Sequence, residues 1–141
     1  MTLGLSRAVL RAEGKRLLRF GLVGLAATAV HLAVLAALIR WCGWAALWAN
    51  SLAFCAAFLM SFSGNYRWTF RARIDRAIAL RRFLITSVAG FGLNTAVLAF
   101  MVHGMSMPAL PSGMVAALLM PVFAYVASRV WVFRDPGPAA R

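Results

Sequence analysis

The chain has 141 residues, of which 63% are hydrophobic and 13% charged, and its formal net charge is +12. A water-soluble domain of this size has too little interior for so much apolar surface, which excludes an ordinary globular protein and leaves the bilayer as solvent. Such a basic balance in a soluble chain would point to nucleic acid. Here the cations flank the apolar runs and are absent from them, so they point to membrane topology and anionic lipid headgroups, and to no nucleic-acid partner.

Residues 1–19 set Leu3, Leu5, Val9, Leu10, Leu17 and Leu18 among Arg7, Arg11, Lys15, Arg16 and Arg19. This is the pattern of a basic amphipathic helix lying in the interface, or of a charged tail that helps set orientation. The first span follows at about 20–39, uncharged, with Thr28 and His31 as its polar members. A basic start before an apolar run mimics a secretory signal. This run is long enough to cross, however, and its counterpart at 83–103 cannot be a signal, so both are read as retained spans. The short turn Arg40-Trp41-Cys42-Gly43-Trp44 forces an antiparallel partner, the second span at about 46–65.

A basic loop at 66–82 leads to the third span, about 83–103, which carries Thr86, Ser87, Asn94 and Thr95. A turn from His103 to Gly113 with no Lys or Arg precedes the fourth span, about 113–131, which holds Pro121 and should kink there. Residues 134–141 are rich in Pro and Gly and are expected to form a flexible tail. Of 15 Lys and Arg, 14 lie in the N-terminal segment, the 66–82 loop and the stretch beyond Ser128, with Arg40 alone on the other side. The positive-inside rule then places both termini and the central loop in the cytoplasm.

The halves repeat. Residues 17–71 laid on 80–134 without a gap are identical at 14 of 55 positions, and the matches gather at segment edges. Arg19-Phe20 falls on Arg82-Phe83. The stretch Asn65-Tyr66-Arg67-Trp68-Thr69-Phe70-Arg71 falls on Ser128-Arg129-Val130-Trp131-Val132-Phe133-Arg134. The expected fold is therefore all-α: a polytopic membrane protein whose four transmembrane helices form two tandem hairpins of the same orientation, related by a pseudo-twofold along the membrane normal. Its transmembrane domain covers 20–133.

No catalytic set stands out. Glu13, Asp75 and Asp135 are isolated from one another, no Gly-rich phosphate loop occurs, and Cys42 and Cys55 have neither metal spacing nor a disulfide framework. The expectation is a protein that is not an enzyme and has no cofactor and no metal. A proton-coupled drug exporter would need a carboxylate within a span, and there is none.

The polar residues of the spans remain. His31 and Asn94 occupy matching places 12 residues beyond Arg19 and Arg82, about 18 Å along the helix. They line a polar path, or they tie helices together. Arg19, Arg67, Arg82 and Arg129 flank the helix ends together with Asn65 and Ser128. They grip a lipid phosphate through their planar forks, or they anchor topology with Trp68, Phe70, Trp131 and Phe133 as an aromatic belt.

These residues resemble a known family, the GtrA-like small membrane proteins. Its pattern of Arg-Phe opening the first and third helices is met by Arg19-Phe20 and Arg82-Phe83, and its Asn in the third helix by Asn94. Its second-helix ending is met by Ser61, Phe62, Asn65, Trp68 and Phe70, and its fourth-helix ending by Ser128, Arg129, Trp131 and Phe133. The resemblance covers about 15–134. Gly64 departs from it, standing where a larger apolar residue is usual, and His31 has no place in the pattern.

The resemblance implies a multi-pass protein of the bacterial cytoplasmic (inner) membrane. It implies a part in moving polyprenyl-phosphate-linked sugars across that membrane for cell-surface polysaccharide or glycoconjugate synthesis, often beside a polyprenyl-phosphate glycosyltransferase. On this reading Arg19, Arg67, Arg82 and Arg129 hold the lipid phosphate, while His31, Asn65, Asn94 and Ser128 line the sugar path. Four helices are few for an enclosed path, so a homo-oligomer is expected. The alternative is a scaffold that docks the glycosyltransferase and transports nothing. A cysteine placed beside Asp75 should react only with thiol reagents that reach the cytoplasmic side, and labelling from outside intact cells would reverse the topology.

Overall fold

A backbone in hydrocarbon has no water to bond, so each apolar run must satisfy its own N–H and C=O groups by winding into a helix. The computed structural model describes residues 2–135, and their regular structure is entirely helical. Helix α1 spans Thr2–Arg40, α2 Ala46–Gly64, α3 Arg76–Ala99 and α4 Ala109–Ala127. The last three each run on into one widened, π-type turn, at Asn65–Thr69, Phe100–Gly104 and Ser128–Val132. Four stretches are long and apolar enough to cross a membrane: Val9–Arg40, Ala46–Thr69, Arg76–Gly104 and Leu110–Val132.

The helices differ from the sequence expectation at their basic ends. No break separates an interfacial segment at 1–19 from a span at 20–39: α1 is one continuous helix of 39 residues. Nothing in the chain forces a break at that point. Arg16 Nη1 bonds Glu13 Oε1 at 3.0 Å one turn apart, and the leucines and arginines there are good helix formers. Helix α3 begins at Arg76, well before residue 83, because Asp75 caps it: its Oδ1 accepts from the Ala77 N–H at 2.9 Å and the Ile78 N–H at 3.1 Å. Helix α4 continues through Pro121. The expected tail lies, from residue 136 on, outside the described residues.

The chain divides into two compact units, Met1–Arg71 and Ala72–Arg141. In the first, α1 packs against α2; in the second, α3 packs against α4. The cores of the two hairpins repeat at the sequence offset. Val23, Ala27, Ala49, Ala53 and Asn65 are buried in the first, and Thr86, Gly90, Ser112, Ala116 and Ser128 in the second. The hairpin turns repeat as well. Gly43 takes φ +66° while the Trp44 N–H reaches back to the Leu38 carbonyl at 3.1 Å; Ser106 takes φ +54° while the Met107 N–H reaches the Met101 carbonyl at 3.0 Å. The turn needs one residue in the left-handed region, which glycine adopts freely and serine only at some cost.

Small residues let the helices of each hairpin approach. A Cβ on Gly64 would stand 2.8 Å from Val23 Cγ1 and 3.0 Å from Cγ2. Val23 is β-branched and stiff at χ1, so it has little room to turn away. That is the physical reason for Gly64, the position where the chain departs from the family pattern. A Cβ on Gly90 would stand 2.8 Å from Met120 Cε, the free end of a flexible side chain. Gly64→Ala should therefore destabilise the first hairpin by about 1–2 kcal/mol, the usual cost of overpacking, and Val23→Ala in the same chain should restore it. Gly90→Ala should be nearly neutral. Thermal melting in detergent tests both, and equal losses at the two glycines would contradict this packing.

Candidate functional site

Each hairpin has one end where cations, aromatic rings and buried polar groups meet. The end is shaped by the π-type turn that closes α2 or α4. In the first hairpin the Phe70 N–H bonds the Asn65 carbonyl at 2.9 Å, and in the second the Phe133 N–H bonds the Ser128 carbonyl at 3.1 Å, each across five residues. A turn of this width rotates the side chains that follow relative to a regular helix, and such turns are common at functional sites.

An arginine from the neighbouring helix closes each turn. Arg19 Nη1 donates to the Trp68 carbonyl at 3.4 Å, and its guanidinium lies 5.5 Å from the centre of the Trp68 ring. Arg82 Nη1 donates to the Trp131 carbonyl at 2.9 Å and to the Arg134 carbonyl at 3.2 Å, with the guanidinium 5.7 Å from the Trp131 ring centre. Phe20 meets Phe70 at 6.3 Å between ring centres, and Phe83 meets Phe133 at 6.0 Å. The carbonyls at a helix end lack partners within the helix, and a guanidinium is well suited to supply them while stacking on an indole. The tryptophans expected to form an aromatic belt also serve as platforms for the two clamping arginines.

Beneath each turn lie polar oxygens with no partner. Asn65 and Ser128 are 1% exposed, Thr69 4% and Thr86 7%. Asn65 Oδ1, Thr69 Oγ1, Thr86 Oγ1 and Ser128 Oγ make no hydrogen bond among the described residues. Asn65 uses its Nδ2 on Ser61 Oγ at 3.4 Å. An unsatisfied buried oxygen costs about 1–3 kcal/mol, so four of them are a substantial outlay that a donor brought from elsewhere would relieve.

Other polar groups in the spans behave differently. Thr28, Ser51, Ser87, Thr95 and Ser112 each donate to the backbone carbonyl four residues back, at 2.8–3.1 Å. Such hydroxyls are already satisfied in hydrocarbon.

The residues expected to act together are thus distributed as follows. Arg19 sits with the turn that bears Asn65 and Arg67; Arg82 sits with the turn that bears Ser128 and Arg129. Arg67 and Arg129 are exposed. His31 and Asn94 are partly exposed, and neither makes a hydrogen bond among the described residues. Val23 lies at the level of Gly64, and His31 is eight residues further along α1, about 12 Å away along the axis. His31 therefore does not belong to the cluster around Asn65. The two exposed arginines are not equivalent either: Arg67 aligns with Val130, and Arg129 with Tyr66.

Thr69 and Thr86 escaped the sequence reading as site residues. Thr69 stands four residues after Asn65, on the same side of the turn, and that spacing was the available signal. Thr86 offered no such signal, because Ser87 and Thr95 in the same span are equally polar and already bonded.

Arg82→Ala should free two carbonyls and lower the stability of the second hairpin by about 2 kcal/mol. Arg19→Ala, which frees one longer contact, should cost about half as much in the same detergent melts. The opposite order would show that the clamps are not built as described.

No curated protein and no solved structure matches the chain. The family described as GtrA/DPMS, transmembrane domain, matches residues 19–133, from the first clamping arginine to the phenylalanine that closes the last turn. The chain belongs to this family and is a multi-pass membrane protein of glycoconjugate biosynthesis.

Proposed function

We propose that the protein carries polyprenyl-phosphate-linked sugars across the bacterial cytoplasmic membrane for the synthesis of cell-surface polysaccharide. The observation that supports this most directly is the pair of buried, unpaired oxygens at the arginine-bearing end of each hairpin, Asn65 Oδ1 and Thr69 Oγ1 in the first and Thr86 Oγ1 and Ser128 Oγ in the second. Hydroxyl groups of a sugar both donate and accept, so a sugar suits Asn65 Oδ1 and the three hydroxyls. A phosphate suits the arginines around them. The isoprenoid tail needs no enclosed site, because it is as apolar as the bilayer itself.

In this reading the arginine-bearing ends face the cytoplasm, where the loaded lipid is made. His31 and Asn94 lie further along the route. Glu13 is paired with Arg16, and Asp75 caps α3. We further propose that the chain works as a homo-oligomer beside a polyprenyl-phosphate glycosyltransferase. The first partner supplies more helices around the sugar, and the second supplies the charged lipid.

The test is translocation of a fluorescent polyprenyl-phosphoryl hexose in vesicles containing the purified protein. Asn65→Leu together with Ser128→Ala removes one unpaired oxygen from each turn while keeping the volumes close. The pair should slow translocation about tenfold or more, as loss of a buried polar contact to a ligand does, with no loss of melting temperature. Unchanged translocation would remove these residues from the path. If the unaltered protein translocates nothing but raises the activity of a co-purifying glycosyltransferase, the scaffold role replaces the carrier.

A further inference from the structure

The two hairpins share a plan, but their arginine-bearing ends are not equally available to an anion. In the second hairpin Arg82 uses Nη1 on two carbonyls, at 2.9 and 3.2 Å. The places that align with Arg67 and Thr69 are held there by Val130 and Val132, and Val132 is fully buried. In the first hairpin the corresponding clamp is a single contact of 3.4 Å. Arg67 is exposed and makes no hydrogen bond or ion pair among the described residues. The Thr69 hydroxyl is buried without a partner.

Backbone strain adds a further difference. Arg71 takes φ +47°, while its counterpart Arg134 does not share that conformation. A non-glycine residue held in the left-handed region is strained, and such strain concentrates at binding sites. Arg67, Thr69 and Arg71 alternate along one short stretch, with Arg19 of the neighbouring helix loosely held beside it. The nearest carboxylate along α1, Glu13, is occupied by Arg16.

From this we infer that the first hairpin alone holds the phosphate of a lipid, through Arg19, Arg67, Thr69 and Arg71, and that the second hairpin is a closed structural counterpart. The inference rests on the lipid-phosphate reading above and narrows it to one binding site per chain. Duplication built two similar ends. The donor positions hold valine in the second hairpin and arginine and threonine in the first.

The second hairpin also supplies the variants for the test, since its own residues show what the turn tolerates. Arg67→Val and Thr69→Val copy Val130 and Val132 into the first hairpin. The purified full-length chain is titrated with a short polyprenyl phosphate, with phosphatidylglycerol and with inorganic phosphate, and bound lipid is counted by native mass spectrometry. One polyprenyl phosphate per chain is expected. Arg67→Val should weaken it about tenfold, the loss typical of one charge-assisted hydrogen bond. Thr69→Val should weaken it about threefold while raising the melting temperature, because it deletes a buried unpaired hydroxyl.

Two bound lipids per chain, or affinity unchanged by Arg67→Val, would overturn the single-hairpin site and leave the transport reading intact. Phosphatidylglycerol bound as tightly as polyprenyl phosphate, or full competition by inorganic phosphate, would keep the first-hairpin site and remove the polyprenyl carrier. Absence of any phosphate ligand would overturn both.

Discussion

The structure depends on how helix ends are finished where water is scarce. The last carbonyls of α2 and α4 have no partner within a regular helix, and leaving them bare near hydrocarbon is costly. The chain meets this by widening the last turn, so that Phe70 and Phe133 reach back five residues, and by bringing Arg19 or Arg82 across to the carbonyls of Trp68 or Trp131. One guanidinium thereby satisfies backbone, stacks on an indole and keeps its charge at the membrane edge. The Arg-Phe pairs that open the basic ends of the spans, and the Trp-x-Phe stretches that close them, are two halves of this one device.

The same device explains why the unpaired oxygens are tolerated. Asn65 and Ser128 begin the widened turns, and their backbone carbonyls are the acceptors that close them. The backbone is satisfied there while the side chains are not. A protein selected only for a stable hairpin would replace Ser128 by alanine, and Thr69 by the valine found at its counterpart, and would gain by both. Retention of polar groups in both turns is a cost against stability, and such costs are met chiefly where binding requires them.

Much of this was legible in the residues. The repeat offset found the hairpins and singled out Arg19, Arg82, Trp68 and Trp131, but that each arginine closes on a tryptophan carbonyl, and which small residues are buried in pairs, came only with the structure. The limits of the spans were less legible. The cluster of charges before Phe20 looks like the end of a membrane segment, yet α1 runs through it, since arginine and leucine favour a helix in water as well as in lipid. The start of α3 was set by a capping carboxylate, Asp75, in what otherwise reads as a basic loop. The π-type turns leave no signature in composition or period.

Which polar residues matter was the least legible feature, and the reason is geometric. Thr28, Ser87 and Thr95 are chemically like Thr69 and Thr86, but the first three bond carbonyls of their own helices and the last two do not. A hydroxyl on a helix can almost always turn back to the carbonyl four residues behind it. Its failure to do so is therefore informative, whereas its presence in a span is not. At Thr69 that failure coincides with an exposed Arg67, a strained Arg71 and a loosely held Arg19. At the matching place in the second hairpin valine fills the position and the arginine clamp is tight. The two helix ends thus close the same widened turn differently: one by a tight pair of contacts beside valines, the other by a single longer contact beside an arginine and an unpaired hydroxyl.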